Sequence, residues 1–206
     1  MNFLLGISRA IDYVTTKLGQ LMWWMSLFMV LIGAFNVITR YAFGPISQIF
    51  GTNVAQLLSG NRYLSMQTFA YDMIFLLGAA YVLKSDGHVR VDIVYSSLKA
   101  KAKAWIDILG AAFFLIPFCW FAFAFSRKNI FSSWAKLEAS PDPGGIPLYI
   151  IKTVVPVALF ILIFQGISEI IKNLAFLSGH PKSGSIHQTH EEKRPGEHVV
   201  EQTEGF

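Results

Sequence analysis

Charge is what this sequence has least of: Asp, Glu, Lys and Arg make up 15% of its 206 residues, against 53% apolar. A soluble domain of that size needs a more charged surface, so a water-exposed globular fold fits poorly. There is one cysteine, Cys119, beside Trp120 in an apolar run. That excludes an intramolecular disulfide or a thiolate cluster and leaves a small packing residue. The apolar runs contain no histidine: His88, His180, His187, His190 and His198 all fall in polar segments, so haem held between facing helices is excluded. No Ser–His or paired-Asp constellation sits at depth, so an intramembrane protease is excluded too. The tail histidines, near Glu191 and Glu192, read as solvated residues without a fixed ligand geometry, with weak metal binding as the alternative. No catalytic group, metal or cofactor is expected. The net charge of +4 is spread over the ends of apolar runs and forms no basic stripe, so nucleic acid is not an expected partner.

What the chain does have is apolar runs separated by short charged or Pro/Gly segments, the pattern of repeated bilayer spans. The first span is expected over 18–38, which at about 1.5 Å per residue covers a hydrocarbon core of roughly 30 Å. Trp23 and Trp24 near one end and Arg40 and Tyr41 at the other suit interfacial anchors. Arg9 and Lys17 precede it, no small-residue cleavage pattern follows, and the segment is expected to stay in the mature chain. Gly44, Pro45, Gly51, Asn53, Gly60 and Asn61 then break the pattern, while Ile49, Phe50, Val54, Leu57 and Leu58 recur at helical spacing. This predicts an amphipathic helix lying in the interface. Further spans are expected over 66–83, 104–125 and 148–171, the last two containing Pro117 and Pro156, which membrane helices tolerate. SPDPGGIP (140–147) excludes regular helix or sheet and predicts a shaped loop.

The expected fold class is therefore an all-α integral membrane protein, with four transmembrane helices plus an interfacial amphipathic helix. Its expected divisions are an N-terminal segment 1–17, a four-helix membrane domain 18–174 and a disordered tail 175–206. Arg9, Lys17, Lys84, Arg90, Lys99, Lys101, Lys103, Lys172, Lys182, Lys193 and Arg194 flank the spans on one side. Arg40, Arg62, Arg127, Lys128, Lys136 and Lys152 flank them on the other. The positive-inside bias then puts both termini in the cytoplasm, with the interfacial helix and the 140–147 loop outside.

A transport pathway declares itself by ionisable residues at mid-bilayer depth or by broken helices around a solute. The expected spans offer neither, because Asp72, Asp107, Lys152 and Glu169 each fall within a turn or two of an expected span end. The chain reads as a partner to a pathway. Asn36 and Arg40, four residues apart, share a helix face and serve either as an interfacial anchor with an incidental Asn or as a polar contact to another membrane subunit. GHVRVD (87–92) sets His88, Arg90 and Asp92 on one side of an extended stretch, either solvated or at a subunit interface. In and around the 140–147 loop, Glu138, Pro141, Asp142, Gly144, Gly145 and Lys152 form either a connector or a docking surface.

NVITRYAF (36–43), FLLGAAYVLKSDGHVRVDIVY (75–95) and SPDPGGIPLYIIKTVVP (140–156), followed by Gln165 and Gly166, resemble the small membrane subunit family of TRAP (tripartite ATP-independent periplasmic) transporters. The last stretch is similar to the branch associated with mannitol or chloroaromatic compounds. The resemblance implies a scaffold bound to a large membrane subunit that holds the substrate and sodium sites. It also implies a periplasmic solute-binding protein that delivers an organic anion such as a carboxylic or keto acid, and a place in the bacterial inner membrane. Many members carry a Trp and paired acids at the start of the second span, where this chain has SMQTFAYD with Asp72 the only acid. The competing class is a membrane anchor subunit of a respiratory or other membrane enzyme, which the missing intramembrane histidines disfavour.

Overall fold

The computed structural model describes residues 2–85, 87, 98–140 and 146–180. The GHVRVD residues His88, Arg90 and Asp92, the loop residues Pro141, Asp142, Gly144 and Gly145, and the tail from residue 181 lie outside the described residues.

Helix α1 runs Asn2–Tyr41, far longer than the expected 18–38. Polar residues such as Asp12, Thr15 and Thr16 do not stop it, since each finds a partner on a neighbouring helix. The segment expected as an interfacial helix forms two helices, α2 (Phe43–Phe50) and α3 (Thr52–Leu58), broken at Gly51 with φ 87, a left-handed value that favours glycine. Helix α4 (Asn61–Lys84) begins before the expected residue 66. The third span is α5 (Ala100–Gly110), a π-helical turn (Ala111–Leu115) and α6 (Ile116–Ala135) in unbroken succession. Ile116 N–H reaches back five residues to the Ala111 carbonyl, just ahead of Pro117, which has no N–H to continue the ordinary ladder. Helix α7 (Leu148–Leu177) carries Pro156 inside it.

Among the described residues no strand occurs, and four helical stretches are long and apolar enough to cross a membrane: Phe3–Tyr41, Thr52–Lys84, Ala100–Ala135 and Leu148–Leu177. Helix α7 is the hub, packing against α1, α4, α5 and α6, while α1 lies along α4. The core is small: Met22, Leu77 and Ala158 meet where α1, α4 and α7 come together, with Met25, Met73, Val154 and Ile161 around them. Most large apolar side chains point outward, as Trp23, Phe75, Phe113 and Phe125 do. In a bilayer that exposure is expected, because lipid tails are as apolar as leucine and helices associate through close packing and polar bonds instead. Close packing is visible at Gly19, where an added Cβ would lie 2.4 Å from the Tyr81 ring, and at Gly166, where it would lie 2.5 Å from Leu115.

Candidate functional site

The strongest polar feature is a clasp between the first half of α1 and the second half of α7. Ser8, Asp12 and Thr15 recur on one face of α1; Gln165, Ser168, Glu169 and Lys172 do the same on α7. Lys172 Nζ donates to Glu169 Oε1 at 2.5 Å and to Asp12 Oδ2 at 3.2 Å. Gln165 Nε2 donates to Asp12 Oδ1 at 3.0 Å and to Glu169 Oε1 at 3.3 Å, and its own Oε1 accepts from Thr15 at 2.8 Å. Ser168 Oγ donates to Asp12 Oδ1 at 2.9 Å, and the Ser8 and Ser168 hydroxyls lie 2.7 Å apart. Lys84 of α4 donates to the Asp12 carbonyl at 3.1 Å and to the Thr16 hydroxyl, tying in a third helix. The Lys172 and Glu169 side chains are 4% and 11% exposed. Buried charges are tolerated only when paired and hydrogen-bonded, and here the carboxylates of Asp12 and Glu169 share one base, Lys172, with Gln165 and Ser168 donating further bonds. Such a network fixes helices in one arrangement.

Glu169 therefore belongs to a built interior site, not to a loosely hydrated span end as its sequence position suggested. The signal was present in the spacing of the two polar stripes. It went unread because Asp12 lies ahead of the expected start of the first span, leaving Glu169 without a visible partner.

At the opposite end of α7, Lys152 Nζ contacts Glu138 Oε2 at 2.5 Å, and Ser133 Oγ donates to the same oxygen. The Leu148 N–H donates to the Glu138 carbonyl at 3.0 Å, and Leu137 adopts φ 45, so the chain leaving α6 is turned tightly back onto α7. The bond from Lys152, then that from Ser133, holds the Glu138 carboxyl below its ordinary range. Glu138 and Lys152, two residues of the candidate docking loop, are thus joined to each other.

Of the candidate interface residues, His88, Arg90 and Asp92 lie outside the described residues, and Asn36, Arg40 and Asp72 make no hydrogen bond or ion pair with one another. Asn36 is buried with its Oδ1 unpartnered, whereas Arg40 is exposed and donates to Asn61 Oδ1 at 3.0 Å. Asp72 lies midway along α4, because that helix starts at Asn61, ahead of the expected span. It is half-buried and makes no hydrogen bond or ion pair among the described residues, with exposed Thr68, Tyr71 and Phe75 beside it on the helix. A groove of about 950 Å³ runs between α1 and α4, lined by Gly19, Trp23, Phe75, Gly78 and Ala79 among others. A second, of about 570 Å³, runs between the third span and α7, past Phe114, Phe118 and Gly166. Among the described residues no cluster of His, Cys, Asp or Glu could hold a metal ion.

Fold and interior together define a multi-pass membrane protein whose helices are locked by a buried polar clasp. Residues 29–176 match the family model described as "Tripartite ATP-independent periplasmic transporters, DctQ component". The match covers well over half of the chain, which therefore belongs to that family of transporter components. No curated protein and no solved structure matches. The α7 half of the clasp falls within the matched segment, while Ser8, Asp12 and Thr15 precede it.

Proposed function

We propose that this chain is the scaffold subunit of a sodium-driven transporter in a bacterial inner membrane. In this reading it holds a large membrane subunit that imports an organic anion, a carboxylic or keto acid, delivered by a periplasmic solute-binding protein. The stretch 140–156 further supports a place in the mannitol or chloroaromatic branch. The observation that carries the reading is the fate of the buried ionisable groups. Asp12, Glu169 and Lys172 are bonded to one another across two helices, which supports a bracing role for them.

Both termini are cytoplasmic in this proposal. His88, Arg90 and Asp92 then face the partner on the cytoplasmic side, and Pro141, Asp142, Gly144 and Gly145 face the binding protein outside. The Glu138–Lys152 pair braces the base of that loop, and Asp142 is its remaining acid. The test is affinity purification of the tagged chain from its native membrane, with compartment reporters fused at the C-terminus and near residue 136. A large multi-pass membrane protein should co-purify, and the two reporters should report opposite compartments. Recovery of a respiratory enzyme, or a periplasmic C-terminus, would contradict the proposal.

A further inference from the structure

We infer that the outward face of α4 around Asp72 is the docking surface for a transmembrane helix of the large membrane subunit, and that this helix brings a lysine or arginine to Asp72. The inference rests on the proposed scaffold function and adds the face and the chemistry of contact.

Depth comes first. Arg62 and Lys84 bracket the apolar part of α4, and Asp72 lies about 15 Å along the helix from Arg62 and about 18 Å from Lys84, at about 1.5 Å per residue. The register with α1 agrees. Gly19 abuts Tyr81 and Gly33 abuts Gln67, so Asp72 is level with Phe28, in the middle of the apolar run of α1. An ionisable group inside such a run needs a partner or water, and this one has no partner among the described residues.

On the two helices packed against α4, α1 and α7, the basic residue nearest its level is already engaged. Helices α4 and α7 run in the same direction and meet at Leu77 and Ala158, which sets Asp72 level with Thr153. The neighbouring Lys152 is bound to Glu138, and Lys84 is bound to Asp12 and Thr16. Neither helix packed against α4 offers a free cation at that level, which leaves another chain to supply one. A second copy of this chain suits poorly, since two-fold pairing through this face would bring two Asp72 carboxylates together.

Lipid suits poorly as well, and the third span shows why. Its exposed side chains from Ile106 to Phe125, among them Phe113, Phe114, Phe118 and Phe121, are all apolar, as a surface facing acyl chains should be, and exposed charge begins only beyond them at Arg127 and Lys128. The face of α4 instead presents Thr68, Tyr71 and Asp72. It continues through Phe75 and Ala79 into the 950 Å³ groove against α1. Gly78 in that groove has nothing within 4 Å of where its Cβ would be, so packing within the chain does not require a glycine there. Close approach by an external helix does, and small residues are how membrane helices achieve it.

The test uses the intact complex isolated from membranes, with a photo-crosslinking amino acid at Tyr71 or Phe75 on one face, and at Phe113 or Phe121 on the other. Crosslinks to the large subunit are expected from the first pair and not from the second. In parallel, Asp72→Lys should lower recovery of the large subunit by about tenfold or more, because like charges then face each other in a low dielectric. Asp72→Asn, which still accepts a hydrogen bond, should lose less. A Lys→Asp or Arg→Asp change at one membrane position of the partner should restore recovery to Asp72→Lys. The inference is overturned by crosslinks as strong from Phe113 and Phe121 as from Tyr71 and Phe75, by none from Tyr71 and Phe75 while the wild-type complex is recovered, or by unchanged recovery of Asp72→Lys. Failure of the wild-type chain to recover any large subunit would refute the scaffold function itself, and the inference would fall with it.

Discussion

Glu169 and Asp72 are both carboxylates set in apolar helices, and their surroundings are opposite. Glu169 lies at the α1–α7 junction under bonds from Lys172 and Gln165, while Asp72 stands half-buried on the outward face of α4 with no bond among the described residues. The same chemical group thus has two uses. At the junction it completes a network that holds the bundle together; on α4 it is left for something outside the chain. The difference also separates the two quantities a mutation can change, the stability of the lone subunit and its assembly.

The largest expected effect is at the junction. Lys172→Met removes the base shared by Asp12 and Glu169 and strands two buried acids, which should destabilise the isolated subunit by about 3–5 kcal/mol. Thermal unfolding in detergent measures it, and adding Glu169→Gln and Asp12→Asn should recover part of the loss. Asp72→Leu is the counterpart: the isolated subunit should be as stable as wild type or slightly more so, because an unpaired carboxylate has been removed. Comparable destabilisation by the two changes would erase the contrast.

The four spans were legible because an apolar run of about 20 residues matches the thickness of a bilayer and is longer than a core helix in water needs to be. Helix ends were not, since apolarity marks the bilayer and not the helix. Helix α1 continues through Arg9, Asp12 and Lys17, and α4 starts at Asn61, because their polar residues are bonded or sit at helix ends. The helices run beyond the expected spans, and that extension is what carries Asp12 to Lys172 and sets Asp72 midway along α4. Gly51 was readable as a breaker, but only its φ of 87 divides the interfacial segment into two helices. The partner of Lys152 was beyond sequence reasoning, as the pair depends on the Leu137 turn bringing Glu138 back over α7.

A middle-sized effect sharpens the packing side of the comparison. Gly19→Val should cost about 1–3 kcal/mol in the same unfolding assay, since even a Cβ at that position would meet the Tyr81 ring at 2.4 Å. Gly78→Ala has open space and should leave the isolated subunit within about 1 kcal/mol of wild type, while weakening the complex.

The smallest effect is at the other end of α7. The folded-state pKa of Glu138 is depressed by Lys152 and Ser133, so its contribution to stability is present above the ordinary glutamate pKa. It is lost as pH falls from there through the depressed value. Acid titration of unfolding should show wild type and Lys152→Met converging only at low pH. A gap that persists at low pH would assign the role of Lys152 to packing.

Transport tests the scaffold role most directly. Proteoliposomes carrying this chain alone, and others carrying it with the co-purified large subunit, would be given a sodium gradient, the periplasmic binding protein and a labelled organic acid. Uptake is expected only when the large subunit is present, because the buried ionisable groups of this chain are bonded to one another. Sodium-dependent uptake by the chain alone would contradict its role as a scaffold.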